Sequence, residues 1–409
     1  MQKRVLIAGA GASGMCAAIC CARAGAMVTV IEKEDHAGKK LSMTGNGRCN
    51  LSNEEMQAED YNVRAADRMQ KWLGQFGTAD TIAFFRSLGI VVRSEAGYLY
   101  PYSGQASSVV DVMQKEMERL GVELIFHTQI KEIIKNPEGK AYTVRTSGIS
   151  YQADAVILAT GGLAGPKVTA STGDGYYIAG KLGITSEKCY PALVQLLSRD
   201  DTLPQEAGVR MEAEITFRSE QQILTAEEGE LQITAHGISG IPIMQASGKV
   251  AQCLAQGKAV TAEIDFFPGY DAKKFEEMIQ DLLLLRKRGS IEEFLEGLCN
   301  IHVNQMILKR QKVSGTTPLQ DIPEQKLKEI LRSYRCICVE ISGTGTYQQS
   351  QVTSGGICLD ELTDELEAVK APGVYFTGEI TDVDGRCGGY NLQWAWMSGT
   401  IAGRAAAEW

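Results

Sequence analysis

The sequence has no pair of cysteines at CxxC spacing, although 11 cysteines are scattered through its 409 residues. A zinc ribbon and a thioredoxin-type dithiol are therefore not expected, no metal site is read, and the odd number of dispersed thiols fits a reducing cytoplasmic setting. Positive charge is scarce as well. Against 50 acidic residues stand 41 basic ones, a formal charge of −9. A broad nucleic-acid or anionic-membrane surface needs clustered Lys and Arg, so neither partner is expected. No long apolar run is free of interrupting glycines, and the chain passes from "MQKR" directly into a strand pattern, so neither a signal peptide nor a membrane span is read. Internal repeats and low-complexity segments are absent too. What remains is a chain long enough for two or three domains around sizeable cores.

Residues 4–35, "RVLIAGAGASGMCAAICCARAGAMVTVIEKED", read as strand, glycine turn, helix and strand. The turn is GxGxxG at Gly9, Gly11 and Gly14. In a βαβ unit these glycines permit the tight turn, let backbone approach a pyrophosphate, and let the helix lie close to the strand. The helix N-terminus offers unpaired N–H groups and its positive dipole end to phosphate. Glu32 closes the second strand, where a carboxylate accepts hydrogen bonds from ribose hydroxyls and repels a 2′-phosphate. The unit therefore binds a dinucleotide other than NADP.

A second glycine-rich run follows at once, "AGKKLSMTGNGRCNLSN" (residues 37–53), with Lys39, Lys40 and Arg48. Ordinary nicotinamide-binding units continue with plain helix and strand, so this run reads as a loop around a second stretch of cofactor. "DAVILATGG" (154–162) ends a strand in a Thr-Gly-Gly turn, and "GVYFTGEITDVDG" (373–385) repeats strand, Gly, acid. These resemble the scattered elements of glutathione-reductase-type FAD folds, in which a late acid meets the ribityl chain; Glu379 stands in that place, with Asp382 and Asp384 behind it.

Taken in order, "GAGASG", "TGNGRCNLSN", "YPYSGQASSVV", "LATGG", "STGDGYYIAGKLG", "PALVQL", "HGISG", "VTSGGI" and "GEITDVDGRCGGYNLQWAWMSG" resemble the BaiN-like, aminoacetone-oxidase-type family of FAD-binding oxidoreductases. The resemblance covers nearly the whole chain. It implies an α/β, glutathione-reductase-type Rossmann-like fold with an inserted β-rich domain and a helical subdomain. It also implies noncovalent FAD held by Gly9, Gly11, Ala12, Ser13, Gly14, Glu32, Lys33, Lys40, Gly45, Gly47, Arg48, Cys49, Asn50, Ile130, Ala159, Thr160, Gly161, Gly378, Glu379, Asp384, Gly388, Gly389, Tyr390, Asn391 and Leu392. A C-terminal helix starting near Asn391 is expected to point its N–H groups at the flavin.

The resulting organisation is an FAD-binding domain split between 1–190 and 352–409. Between its parts come a β-rich segment (191–270), amphipathic helices (271–335) and a return strand (336–351). No second GxGxxG occurs, so NAD(P)H is expected only as a transient electron donor.

Three functions stay open at this point. One is a reductase passing hydride from NAD(P)H through flavin to the conjugated carbonyl of an apolar, steroid-like small molecule. The others are an oxygen-dependent amine oxidase and a flavin-binding RNA-associated or regulatory protein. His236, in "ITAHGISG", is the candidate for polarising the carbonyl, set against a hydrogen-bonded structural histidine. Arg386 is the candidate for holding a substrate anion or flavin oxygen, set against a pair with Asp382 or Asp384. Substrate identity and oligomeric state have no signature in these residues.

Overall fold

The computed structural model describes residues 2–63, 66–137, 141–203, 208–220, 222–284 and 289–409. Two units emerge, one from Met1–Tyr190 with Gln351–Trp409, the other from Pro191–Ser350. The first is built on a five-stranded parallel sheet. Its strands are β1 (Arg4–Ala8), β2 (Met27–Ile31), β3 (Glu123–Ile125), β4 (Ala155–Leu158) and β5 (Val374–Phe376), in the order β5-β4-β1-β2-β3. Both central strands are near-continuous apolar runs. Such runs suit parallel strands covered on both faces, and Val5, Leu6, Ile7 and all of β4 are buried.

Helix α1 (Ala12–Arg23) follows β1, and helix α2 (Tyr390–Glu408) lies against it. The approach is backbone-close because α2 has no side chain at the crossing. A Cβ on Gly399 would sit 2.5 Å from the Ser13 carbonyl oxygen, and one on Gly403 would sit 2.8 Å from that of Ala17. Thiols on α1 use the proximity: Cys21 Sγ donates to the Gly403 carbonyl at 3.0 Å.

Other side chains of α2 tie down the glycine-rich loops. Gln393 is fully buried and its polar atoms are all engaged: Oε1 accepts from Ser52 and Thr81 hydroxyls, and Nε2 donates to the Phe76 carbonyl. Trp396 Nε1 donates to the Leu51 carbonyl, and its ring meets Phe85 edge-on at 5.0 Å. Buried polar groups of this kind hold a geometry, since each would be costly unpaired.

In the second unit six strands close a barrel. Their spatial order is Leu196–Ser198, Gly237–Ser239, Gln222–Thr234, Val209–Ser219, Val260–Asp265 and Ile337–Thr344, the last pairing back to the first. Period-two burial marks the inward face, as in Ala213, Ile215 and Phe217. Helix Ile241–Ala255 and the helices between 272 and 332 share that core through Ile243, Val250, Phe275, Ile307 and Ile330. The β-rich and helical segments, read separately from sequence, thus have a single hydrophobic core. Among the described residues no helix is long and apolar enough to cross a membrane.

The α1–α2 crossing generates a sign test. Gly74, in the helix Ala66–Gln75, faces open space, so Gly74→Ala stabilises the protein by up to about 1 kcal/mol through helix propensity. The same substitution at Gly399 destabilises by about 1–3 kcal/mol, because the new methyl meets backbone. Chemical denaturation of the two variants checks both signs.

Candidate active site

The β1–α1 turn is closed on its protein side and open on the other. Gly9 has φ 101°, and a Cβ there would lie 2.5 Å from the Ala159 carbonyl oxygen; Gly14 is pressed on Gly9. A Cβ on Gly11 would meet nothing within 4 Å, and no side chain caps α1. First-turn N–H groups of a helix have no intrahelical acceptor, so the turn is an open cradle of donors. Ala12 and Ser13 begin the helix, with Ser13 Oγ donating to the Thr377 carbonyl. Glu32 stands at the end of β2 beside this cradle, its Oε2 accepting from Ala10 N–H at 2.7 Å and its Oε1 from Glu34 N–H at 3.0 Å.

Next to Glu32, Lys33 Nζ donates to Asp174 and to Thr172, each at 2.7 Å. Lys33 and Thr172 line a cavity of about 600 Å³ together with Glu34, Lys39, His127 and Gln129. Ile130, buried, opens the neighbouring strand Ile130–Lys135. Asp174 was absent from the site read in the sequence. The signal was present in "STGDG", but nothing local tells that its acid reaches a lysine at the end of β2.

The second glycine loop, the Thr-Gly-Gly turn and the late acid converge. Lys40 is ion-paired with Glu379, whose Oε1 accepts from Thr353 N–H at 3.0 Å, and Thr353 Oγ1 accepts from Leu163 N–H at 2.7 Å. After buried Ala159, Thr160 Oγ1 is buried without a hydrogen-bond partner, and Gly161 takes φ 72°. Gly378 donates its N–H to Ser398 on α2. Gly45 and Gly47 also have positive φ, while Arg48 is ion-paired with Glu95. Cys49 is buried, which pushes its thiol up to about 12 and keeps it protonated. A buried, protonated thiol of this kind suits close packing rather than thiolate chemistry.

Asn50 Oδ1 is buried and finds no partner. It lies near Gly389, which begins α2 at φ 99° and where a Cβ would be 2.6 Å from the Ser52 carbonyl oxygen. The helix therefore starts one residue before Asn391. The Asn391 amide folds back on the preceding loop, accepting from Gly385 N–H and donating to its carbonyl, while Tyr390 OH donates to the Glu55 carbonyl. Leu392 packs half-buried against the core, and Gly388 abuts the Tyr98 ring.

Asp384 is buried opposite Asn62, whose amide donates to it at 3.2 Å. Burial pushes its carboxyl up to about 7; Ser354 and Asn62 oppose the shift, and Asp382 and Glu379 add to it. Arg386 is half-buried and donates its N–H to the Asp60 carbonyl. His236 belongs to the barrel unit, exposed in the turn before Gly237–Ser239.

The HI0933-like protein Rossmann domain family matches residues 3–405. The chain belongs to that family. It is an FAD-binding Rossmann family of flavin-dependent oxidoreductases, as the motif resemblance implied. The chain is 38% identical over the full length of both proteins to the 3-dehydro-bile acid delta(4,6)-reductase of Clostridium scindens. It is 28% identical to the ribosomal RNA dihydrouridine synthase of Escherichia coli, over 96% of this chain and 95% of the other. In fold it is similar to the 3-ketosteroid-delta4-(5alpha)-dehydrogenase of Rhodococcus jostii RHA1, with a TM-score of 0.52, 14% identity, and 99% and 97% of the two chains covered.

The residues of this family member fit FAD. Gly11 leaves space where backbone would meet the pyrophosphate, Glu32 is held beside it, and Asn50 and Thr160 present buried polar atoms without partners in the converging loops.

Two outcomes follow from these groups. Glu32→Ala weakens FAD binding by roughly 1.5–3 kcal/mol, the scale of a hydrogen bond to a charged group, read as the shift in Kd by flavin fluorescence. Asp384 keeps its proton in the fold while the unfolded chain loses it near the ordinary Asp value of about 3.9. Its contribution to stability therefore falls as pH rises from about 4 to about 7 and is level above that. Asp384→Asn removes this decline, stabilising the FAD-free protein by up to about 4 kcal/mol at pH near 8 relative to its effect at pH near 4. Urea titrations at the two pH values check the slope.

Proposed function

We propose that the protein reduces a carbon–carbon double bond conjugated to a carbonyl in an apolar, steroid-like small molecule, with NAD(P)H as the electron source. The observation that carries this is the 38% identity, end to end, with a reductase named for a 3-dehydro-bile acid. The second relative, named for dihydrouridine, supports the same bond type: uracil becomes dihydrouracil when its double bond, conjugated to a ring carbonyl, is reduced. Bound FAD supplies the two-electron chemistry.

The protein's own residues have the remaining tasks. The β1–α1 turn and Glu32 hold the adenosine and pyrophosphate end. Lys40, Glu379 and the start of α2 border the other end, where uncapped N–H groups favour negative charge. Addition of hydride to the β-carbon places charge on the carbonyl oxygen, which needs a donor at about 3 Å. His236 is the proposed donor, and Arg386 is proposed to hold a flavin oxygen or a substrate anion.

Reduction of uridine in RNA is a second reading, favoured by the 28% identity with the synthase. A net charge of −9 sets it behind the first, because RNA affinity grows with the number of phosphates met by Lys and Arg.

The enone and RNA samples are kept anaerobic. Purified protein is given NADH or NADPH with a bile-acid enone, while parallel samples hold ribosomal RNA, or aminoacetone in air. Nicotinamide oxidation that depends on the enone, with the saturated ketone as product, is the expected result. Peroxide from the amine, or dihydrouridine in the RNA, without enone-dependent oxidation would overturn it.

A further inference from the structure

A small sheet in the FAD-binding unit carries an aromatic and cationic face of which the cofactor reading uses only Arg48, reaching over it from the second glycine loop. It comprises Ser52–Asn53, Tyr98–Pro101 and Val92–Glu95. In the hairpin Arg93 pairs with Tyr100 and Glu95 with Tyr98, so these four side chains share one face; Leu99 and Pro101 are buried on the other.

The Arg48 guanidinium lies over Tyr100 at 4.1 Å from the ring centre, and that of Arg93 is 5.9 Å from the ring of Tyr102, which is 69% exposed. Glu95 is the anion between the two, with Oε2 on Arg48 and Oε1 on Arg93 at 2.9 Å. Two guanidiniums thus face one carboxylate. Each fork has five N–H donors and Glu95 engages one nitrogen of each, leaving one positive charge and free donor capacity. Arg93 Nε, buried beneath the face, has no acceptor.

This face borders the glycine turns of the site. A Cβ on Gly388 would be 2.6 Å from the Tyr98 ring, one on Gly45 would be 3.7 Å from the Tyr100 ring, and Asn53 donates to the Gly388 carbonyl. Flat apolar rings can lie on tyrosine faces, and a carboxylate can take up the guanidinium donors. With only two cations and an acidic chain around them, the face suits one small anion better than a phosphate backbone.

We infer that this face recognises the anionic end of the substrate, an apolar enone that carries a carboxylate, with Arg93 as the residue that selects for the charge. The inference rests on the enone reading above. Its test is a binding measurement without reductant, on FAD-loaded protein, using a bile-acid enone and its methyl ester as probes. The wild type binds the free acid about tenfold or more tighter than the ester, the scale of a charged hydrogen bond. Arg93→Met brings the two close to equality by weakening the acid alone, and Arg93→Lys keeps part of the preference. Glu95→Gln removes the internal competitor and tightens the acid, a gain that a merely structural role would not produce.

In turnover the Arg93→Met effect falls on KM for the acid, with kcat and the ester unaffected. A wild type without preference, or an Arg93→Met variant that loses both ligands equally, overturns the inference. Ribosomal RNA that displaces the acid from wild type but fails to bind Arg93→Met would overturn it in favour of nucleic acid. Enone turnover without charge preference removes this inference and leaves the reductase reading intact; charge preference without turnover does the reverse.

Discussion

The FAD-binding unit depends on one close approach, that of α2 to α1 across Gly399 and Gly403. Because α2 lies on the backbone of α1, its other side chains reach the loops that the site is made from. Gln393 fastens Ser52 and Thr81, Trp396 fastens Leu51, and Ser398 fastens Gly378. One methyl group at the crossing would move all of these together. The cradle at Gly11 and the turn at Gly389 are thus two ends of the same packed pair, and their spacing is a property of the packing rather than of either loop.

Electrostatics follow a consistent scheme around that frame. Four loop cations near the site hold carboxylates: Lys33 holds Asp174, Lys39 holds Glu34, Lys40 holds Glu379 and Arg48 holds Glu95. With their charges balanced, these side chains position loops more than they attract phosphate. Backbone N–H groups at the start of α1, fixed in direction and needing no side-chain ordering, are the donors suited to a pyrophosphate. An acidic protein can in this way bind an anionic cofactor.

Much of the fold class was legible because it is written in local patterns. Apolar runs of parallel strands, a GxGxxG between strand and helix, and alternation along the barrel strands each have a period or spacing that a sequence displays. The contacts that define the site geometry have no such local form. Lys40 meets Glu379, and Lys33 meets Asp174, through the topology of the whole unit. The burial that raises the Asp384 carboxyl is likewise a tertiary property, since the sequence shows only one acid among three in "EITDVD". The shared core of barrel and helices escaped a reading that divided them where periodicity changed from two to about 3.6.

The split of the first unit also orders events at synthesis. Strand β5, at one edge of the parallel sheet, and α2, on the face of α1, are made after the barrel unit. The barrel unit is one continuous stretch, Pro191–Ser350, translated before them. Domains fold as units while the chain emerges, at roughly 5–20 residues per second. The barrel is thus complete in sequence while the nucleotide-binding half still lacks an edge strand and the helix that covers α1. Until α2 has been made, Gln393, Trp396 and Ser398 are not there to hold Ser52, Leu51 and Gly378, so this unit completes its packing only after the barrel unit has been synthesised.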